Sequence, residues 1–238
     1  MPDACELSRT GRKVKTVDHS RKKLFMLAVL AMLPLLLAGA APQIVLSARA
    51  EEVARQIGFD RQVLILVKTE AQGGHIKRLA GYDDKDYQIM ANGISIDIHE
   101  DKTEQILLSL RNQLRPLKYM VFVVDINTGL KLNTIGVIKG TDQYDILRIM
   151  QTNGDEYEIF NADVITRLKE WEKISFFEIV GADNDWVELE FKALPKELKA
   201  FAEEVYDFCP DAVDQGAGSI NGLMRELQST RRLFLWWD

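Results

Sequence analysis

The sequence predicts an α+β fold: a mixed sheet with helices packed on it, a C-terminal strand closing the core and an N-terminal hydrophobic leader. Three observations carry this expectation. Strand-like and helix-like apolar periods are intermingled without strict β-α-β alternation. Gly93–His99 alternates strictly, placing Ile94, Ile96 and Ile98 on one face and Ser95, Asp97 and His99 on the other. The chain ends on Leu233-Phe234-Leu235-Trp236-Trp237. Each large aromatic buries ~150–250 Å² when packed, so this stretch reads as a buried strand uniting the helices before it.

The leader comes first. Arg21-Lys22-Lys23 precede Leu24–Ala41, a run without a charge. A basic flank that stays on the cytoplasmic side, followed by an apolar run, predicts a signal peptide or membrane anchor over residues 1–41. Ala38-Gly39-Ala40 and Ala48-Arg49-Ala50 are small-x-small exits, and Pro34 with the Ala/Gly-rich end favours cleavage. The run is at the lower edge of what a retained span needs. The rest is therefore expected on the periplasmic or extracellular side, with the membrane met only through the N-terminal segment.

Residues 51–139 are expected to form an N-terminal α+β segment and residues 140–238 a C-terminal domain. Glu51–Gly58 reads as a short amphipathic helix ending at Gly58, and the apolar Gln62–Lys68 as a buried strand. Ala71–Met90, polar and glycine-containing, reads as a loop. After the Gly93–His99 strand, Asp101 and Glu104 are spaced as a capping box for a helix burying Ile106, Leu107, Leu110 and Leu114, stopped by Pro116. Tyr119–Ile126 and Leu132–Ile138 are strands around an Asn127-Thr128-Gly129 turn. Thr141 or Asp142 caps a helix whose left-handed end is expected at Asn153 or Gly154. Asn161 or Asp163 opens another, carrying Val164, Leu168 and Trp171 at helical spacing. Phe176–Val180 and Trp186–Phe191 are strands. Pro195 is expected at the first position of a helix over Lys196–Phe208, and Ser219 caps the last helix.

Charge narrows the partners. The whole chain carries −6, but residues 1–40 hold seven Lys/Arg and three acids, leaving 23 basic and 33 acidic residues beyond, a net of −10. So acidic a remainder argues against nucleic acid or anionic lipid and fits another protein, including a basic one. Beyond the leader there is one cysteine, Cys209, so an internal disulfide is excluded. No phosphate loop, zinc spacing, serine elbow or complete triad is present, and no cofactor is implied.

Five motifs stand in order in the last hundred residues. They are Gly140-Thr141-Asp142-Gln143-Tyr144-Asp145-Ile146-Leu147-Arg148, Thr152-Asn153-Gly154, Asp185-Trp186-Val187-Glu188, Phe208-Cys209-Pro210-Asp211 with Val213-Asp214-Gln215-Gly216, and Leu235-Trp236-Trp237-Asp238. Together they resemble the bacterial domain of unknown function family 4253. The resemblance implies a common fold and carries over no catalytic role.

Asp142, Gln143, Tyr144, Asn153, Asp185, Trp186, Cys209, Asp211 and Asp214 are the candidate binding residues. For most, a plainer role competes. Asp142 is a natural helix cap. Asp183 and Asp185 suit a turn as well as a hard cation. Cys209 ends a helix before Pro210 as a small buried hydrophobe, and a Cys209–His99 nucleophile pair is the sharper alternative. The terminal carboxylates of Asp238 are expected near Arg148 or Arg231. Two functions follow: a non-catalytic protein-binding domain, or a hydrolase using Asp142, Asp185, Asp211 and Asp214 around one pocket, with or without metal.

Overall fold

The computed structural model describes residues 44–127 and 131–237. They build one seven-stranded mixed sheet with helices on both faces. In chain order the elements are α1 (Ala48–Ile57), α2 (Arg61–Glu70), β1 (Lys77–Tyr82), β2 (Gln88–His99), α3 (Thr103–Leu114), β3 (Tyr119–Asn127) and β4 (Leu132–Lys139). Then come α4 (Tyr144–Met150), α5 (Asn161–Ile174), β5 (Phe177–Ala182), β6 (Trp186–Phe191), α6 (Leu198–Phe208), α7 (Ile220–Thr230) and β7 (Arg232–Trp236). The strand order is β1-β2-β4-β3-β5-β6-β7. Every neighbouring pair is antiparallel except β3 and β5, which run parallel and share a single register pair, Val123 with Gly181. The boundary expected at residues 139/140 falls between β4 and α4, within this one sheet.

Period-two alternation divides the core. Val121 and Val123 face a cluster with α1, α2 and α3, whereas Phe122 and Val124 face a larger cluster with α4 to α7. Trp171, fully buried, meets Phe201 and Phe208 edge-on at 5.2 and 5.7 Å. Such aromatic pairs add ~0.5–1.5 kcal/mol beyond the area they bury.

The Ile94, Ile96 and Ile98 strand and the apolar face of α3 are as expected. Several details differ. Gln62–Lys68 is not a strand but lies within α2: Asp60 accepts the Gln62 amide as an N-cap, and Val63, Leu64 and Val67 form one buried face. The expected loop Ala71–Met90 contains β1, an edge strand whose alternation Arg and Gly obscure, and the first residues of β2. The capping box before α3 does not form. A 3-10 turn, Glu100–Lys102, leads into the helix, Lys102 holds the N-cap with helical dihedrals, and Asp101 pairs with His99 Nδ1 at 3.0 Å. The left-handed residue after α4 is Gln151, whose side chain donates to Arg148 O at 2.7 Å. Pro195 precedes α6, which begins only at Leu198.

The closing strand is present, as the sheet edge rather than its interior. β7 pairs with β6, burying Leu233 and Leu235 on one face and leaving Phe234 and Trp236 half-buried on the other. Trp237 is 6% exposed and its backbone amide donates to Asp185 O at 3.1 Å. No helix of the described residues is long and apolar enough to cross a membrane. The leader, Thr128-Gly129 and Asp238 lie outside the described residues. Of the residues expected near Asp238, Arg148 pairs with Asp142 and Asp145, and Arg231 donates to Lys192 O.

Candidate functional site

The sheet opens where β3 and β5 diverge. Beyond Val123 and Gly181 the two strands share no further ladder pair, yet their edge groups are buried polar atoms that must find partners. Two side chains supply them. Arg111 of α3, from one face, donates through Nε to Val121 O at 3.1 Å and through Nη2 to Ile179 O at 3.2 Å. Gln143, just before α4 on the other face, accepts the Ile179 amide at 2.9 Å and donates to Phe177 O at 3.3 Å. The glutamine amide thus stands in for a missing strand residue.

A cleft of about 390 Å³ occupies the opened gap, within the size range of small-ligand sites (~300–1,000 Å³). Met120 and Val121 of β3 form one wall, Ile179 with Phe176 the other, and Tyr144 with Glu172 a third side. Tyr144 Oη donates to Glu172 Oε2 at 2.9 Å, and Gln143 Nε2 to Glu172 Oε1 at 3.0 Å. Burial pushes the Tyr144 hydroxyl well above its ordinary value, and the Glu172 carboxylate adds to this. Burial likewise pushes Arg111 down, against Glu178 and Glu190. For Glu178 burial acts upward, but Arg115, Lys192 and Arg111 outweigh it and hold the carboxyl below its usual range. Phe176, 52% exposed, stands at the mouth.

The nine predicted residues fall in three places. Asp142, Gln143 and Tyr144 line the cleft. Neither Thr141 nor Asp142 holds the N-cap of α4, which falls on Gln143; Asp142 stands one residue earlier, accepting the Tyr144 amide at 3.1 Å while pairing with Arg148 at 2.9 Å. Asn153, Asp185 and Trp186 surround the β5–β6 turn. Asn153 donates to Asp86 Oδ1 at 3.1 Å, Asp185 O takes the Trp237 amide, and Trp186 stacks on Phe234 with centroids 5.2 Å apart. Cys209, Asp211 and Asp214 lie at the end of α6 and in the π-helical turn after it, Ala212–Ala217. Asp211 is buried and accepts from Tyr157 Oη and Gln215 Nε2, both at 2.8 Å. Asp214 accepts from Tyr206 Oη at 3.3 Å.

In the second and third groups, Asp185, Trp186 and Cys209 contact the terminal strand or Trp237 after it. Of the four carboxylates of the hydrolase reading, Asp142 lines the cleft, Asp185 lies at the β5–β6 turn, and Asp211 and Asp214 lie around the turn after α6, each with its own partners. Among the described residues no group of three or more His, Cys, Asp or Glu is arranged to hold a metal ion. The Cys209–His99 pair is not formed. Cys209 Sγ donates to Trp236 O at 3.0 Å, and burial pushes its thiol up to about 11, the opposite of what a nucleophile needs. His99 sits beside Asp101.

Every motif of the C-terminal half now has a place: one at the cleft, the others around the terminal strand. Residues 134–238 match the model of the Domain of unknown function (DUF4253). The match begins inside β4 and takes in α4 to β7. The DUF4253 portion therefore contributes Gln143, Tyr144, Glu172, Phe176 and Ile179 to the cleft, while Arg111 and Met120 come from the chain before it. No curated protein and no solved structure matches the chain.

Arg111, Arg115, Glu172, Phe176 and Glu178 were not among the predicted site residues. Arg111 and Arg115 read as the polar face of an amphipathic helix, and nothing local marks them as facing a residue over sixty positions away.

Proposed function

We propose that this chain is a non-catalytic protein-binding module whose partner seats in the cleft between β3 and β5. One observation carries the reading: the sheet is held open by Arg111 and Gln143, which occupy the strand edges and leave a walled space instead of a closed ladder. Exposed Phe176, 52%, lines the mouth and supplies apolar area of the kind found at interface cores. The acidic balance of the chain beyond its leader suits a protein partner. Export or tethering through residues 1–41 belongs to the same proposal.

Replacing Phe176 by a photoreactive phenylalanine analogue in the source cell tests this. A discrete protein adduct is expected from position 176 and none from position 206, another exposed aromatic, beside Asp214. Equal adducts from both positions, or none from 176, would overturn the reading.

A further inference from the structure

We infer that the cleft takes a cationic side chain of the partner, a lysine ammonium or arginine guanidinium, with Glu172 as its counter-ion. This rests on the binding reading above and deepens it. The other charged groups lining the cleft each have an ion-pair partner within the chain. Arg111 lies 4.0 Å from Glu178 and 3.6 Å from Glu190, and Arg115 pairs with Glu178 at 2.9 Å. Lys192 adds a further cation to Glu178 at 3.5 Å. On the opposite wall Asp142 has Arg148 as its ion-pair partner at 2.9 Å, a guanidinium it shares with Asp145.

Glu172 differs. Its recorded partners are the neutral Gln143 amide on one oxygen and the Tyr144 hydroxyl on the other, with no ion pair within 4 Å among the described residues. Lys169, whose Nζ lies 5.0 Å from the Tyr144 ring centroid, makes no ion pair with it. A carboxylate offers about four lone-pair sites, so two neutral donors leave acceptor capacity as well as charge. Glu172 does not stand alone. Phe176 stands at the mouth of the same space, where an aromatic face attracts cations, and the Tyr144 ring beside Glu172 already draws Lys169 Nζ to 5.0 Å. Carboxylate, aromatic wall and half-apolar enclosure are together the chemistry that receives an ammonium or guanidinium carried on an alkyl stem.

The Gln143 side-chain amide reports on the site because it donates to Glu172. With the full chain, two-dimensional NMR titrations would use N-acetyl-argininamide, N-acetyl-lysinamide and the neutral isostere N-acetyl-citrullinamide. The cationic probes are expected to shift the Gln143 side-chain amide and the Ile179 amide, the citrulline probe to leave both in place, and Glu172→Gln to weaken the cationic shifts at least tenfold. Equal shifts from citrulline, undiminished shifts in Glu172→Gln, or no shift from either cation up to its solubility limit would overturn the inference. Photo-adducts from position 176 that persist undiminished in Glu172→Gln would leave the binding module standing and remove only its charge assignment. Loss of all adducts in the unaltered chain would remove the module itself.

Discussion

A β-carbon added at Gly154 would lie 2.6 Å from Trp237 Cγ, and one at Gly216 would lie 2.6 Å from Trp236 Cη2. Each tryptophan of the terminal pair therefore rests on a glycine from one of the motifs, which explains those glycines by packing rather than by ligand binding. The two sites differ in what can yield. Trp237 is buried and met at the root of its ring, whereas half-buried Trp236 is met at its far edge. Gly154→Ala should cost ~1–3 kcal/mol, as overpacking does, and Gly216→Ala less; urea midpoints at unchanged slope are the check. Asp183 makes a second prediction at this scale. Burial raises its carboxyl to about 6, with Asp185 and Asp125 adding to the rise and the Asn184 amide and Tyr82 opposing it. The folded chain keeps this proton up to about pH 6, whereas the unfolded chain releases it near pH 4. The group therefore withdraws stability as pH rises through that window and contributes a constant penalty above it. Asp183→Asn should gain stability over the parent between pH 4 and pH 6 and hold that gain at pH 7, read as a Tm difference across the range.

Among the elements, β7 does the closing. Its Leu233 and Leu235 enter the larger core, and Trp237 donates through Nε1 to Phe208 O at 3.4 Å while its ring meets Phe208 edge-on at 5.7 Å. Trp237→Ala should therefore cost ~3–5 kcal/mol, seen as a lower midpoint in equilibrium unfolding. The parts of the fold that were legible in the sequence are those where one period is uninterrupted. Ile94, Ile96 and Ile98 declare a strand, and Ile106, Leu107, Leu110 and Leu114 declare a helix. Val63-Leu64-Ile65-Leu66-Val67 was misread because a short apolar run carries no period; Asp60 as a cap was the telling residue. β1 was missed because an edge strand needs only one buried face, and Leu79 is its only large aliphatic side chain. Of the candidate site, Asp142, Gln143 and Tyr144 could be placed because a helix start is a local signal. Arg111 and Glu172 could not, because what unites them is a gap between strands that are distant in sequence.

At the scale of the whole, the described residues form one sheet with a fault line. Antiparallel pairing holds β1 to β4 together and β5 to β7 together, and the two sets join through a parallel contact of one register pair. Arg111 and Gln143 bridge the remainder, so the weakest seam of the sheet is also where the cleft lies. A partner seated there must touch both sets of strands. Amide hydrogen exchange of the chain, alone and with the protein captured from position 176, tests this most directly. Slowed exchange is predicted at Met120–Val121, Gly140–Tyr144 and Phe176–Ile179, with the outer strands β1 and β7 unchanged. Protection gained along β1 or β7 instead, with those three segments unaltered, would contradict the account.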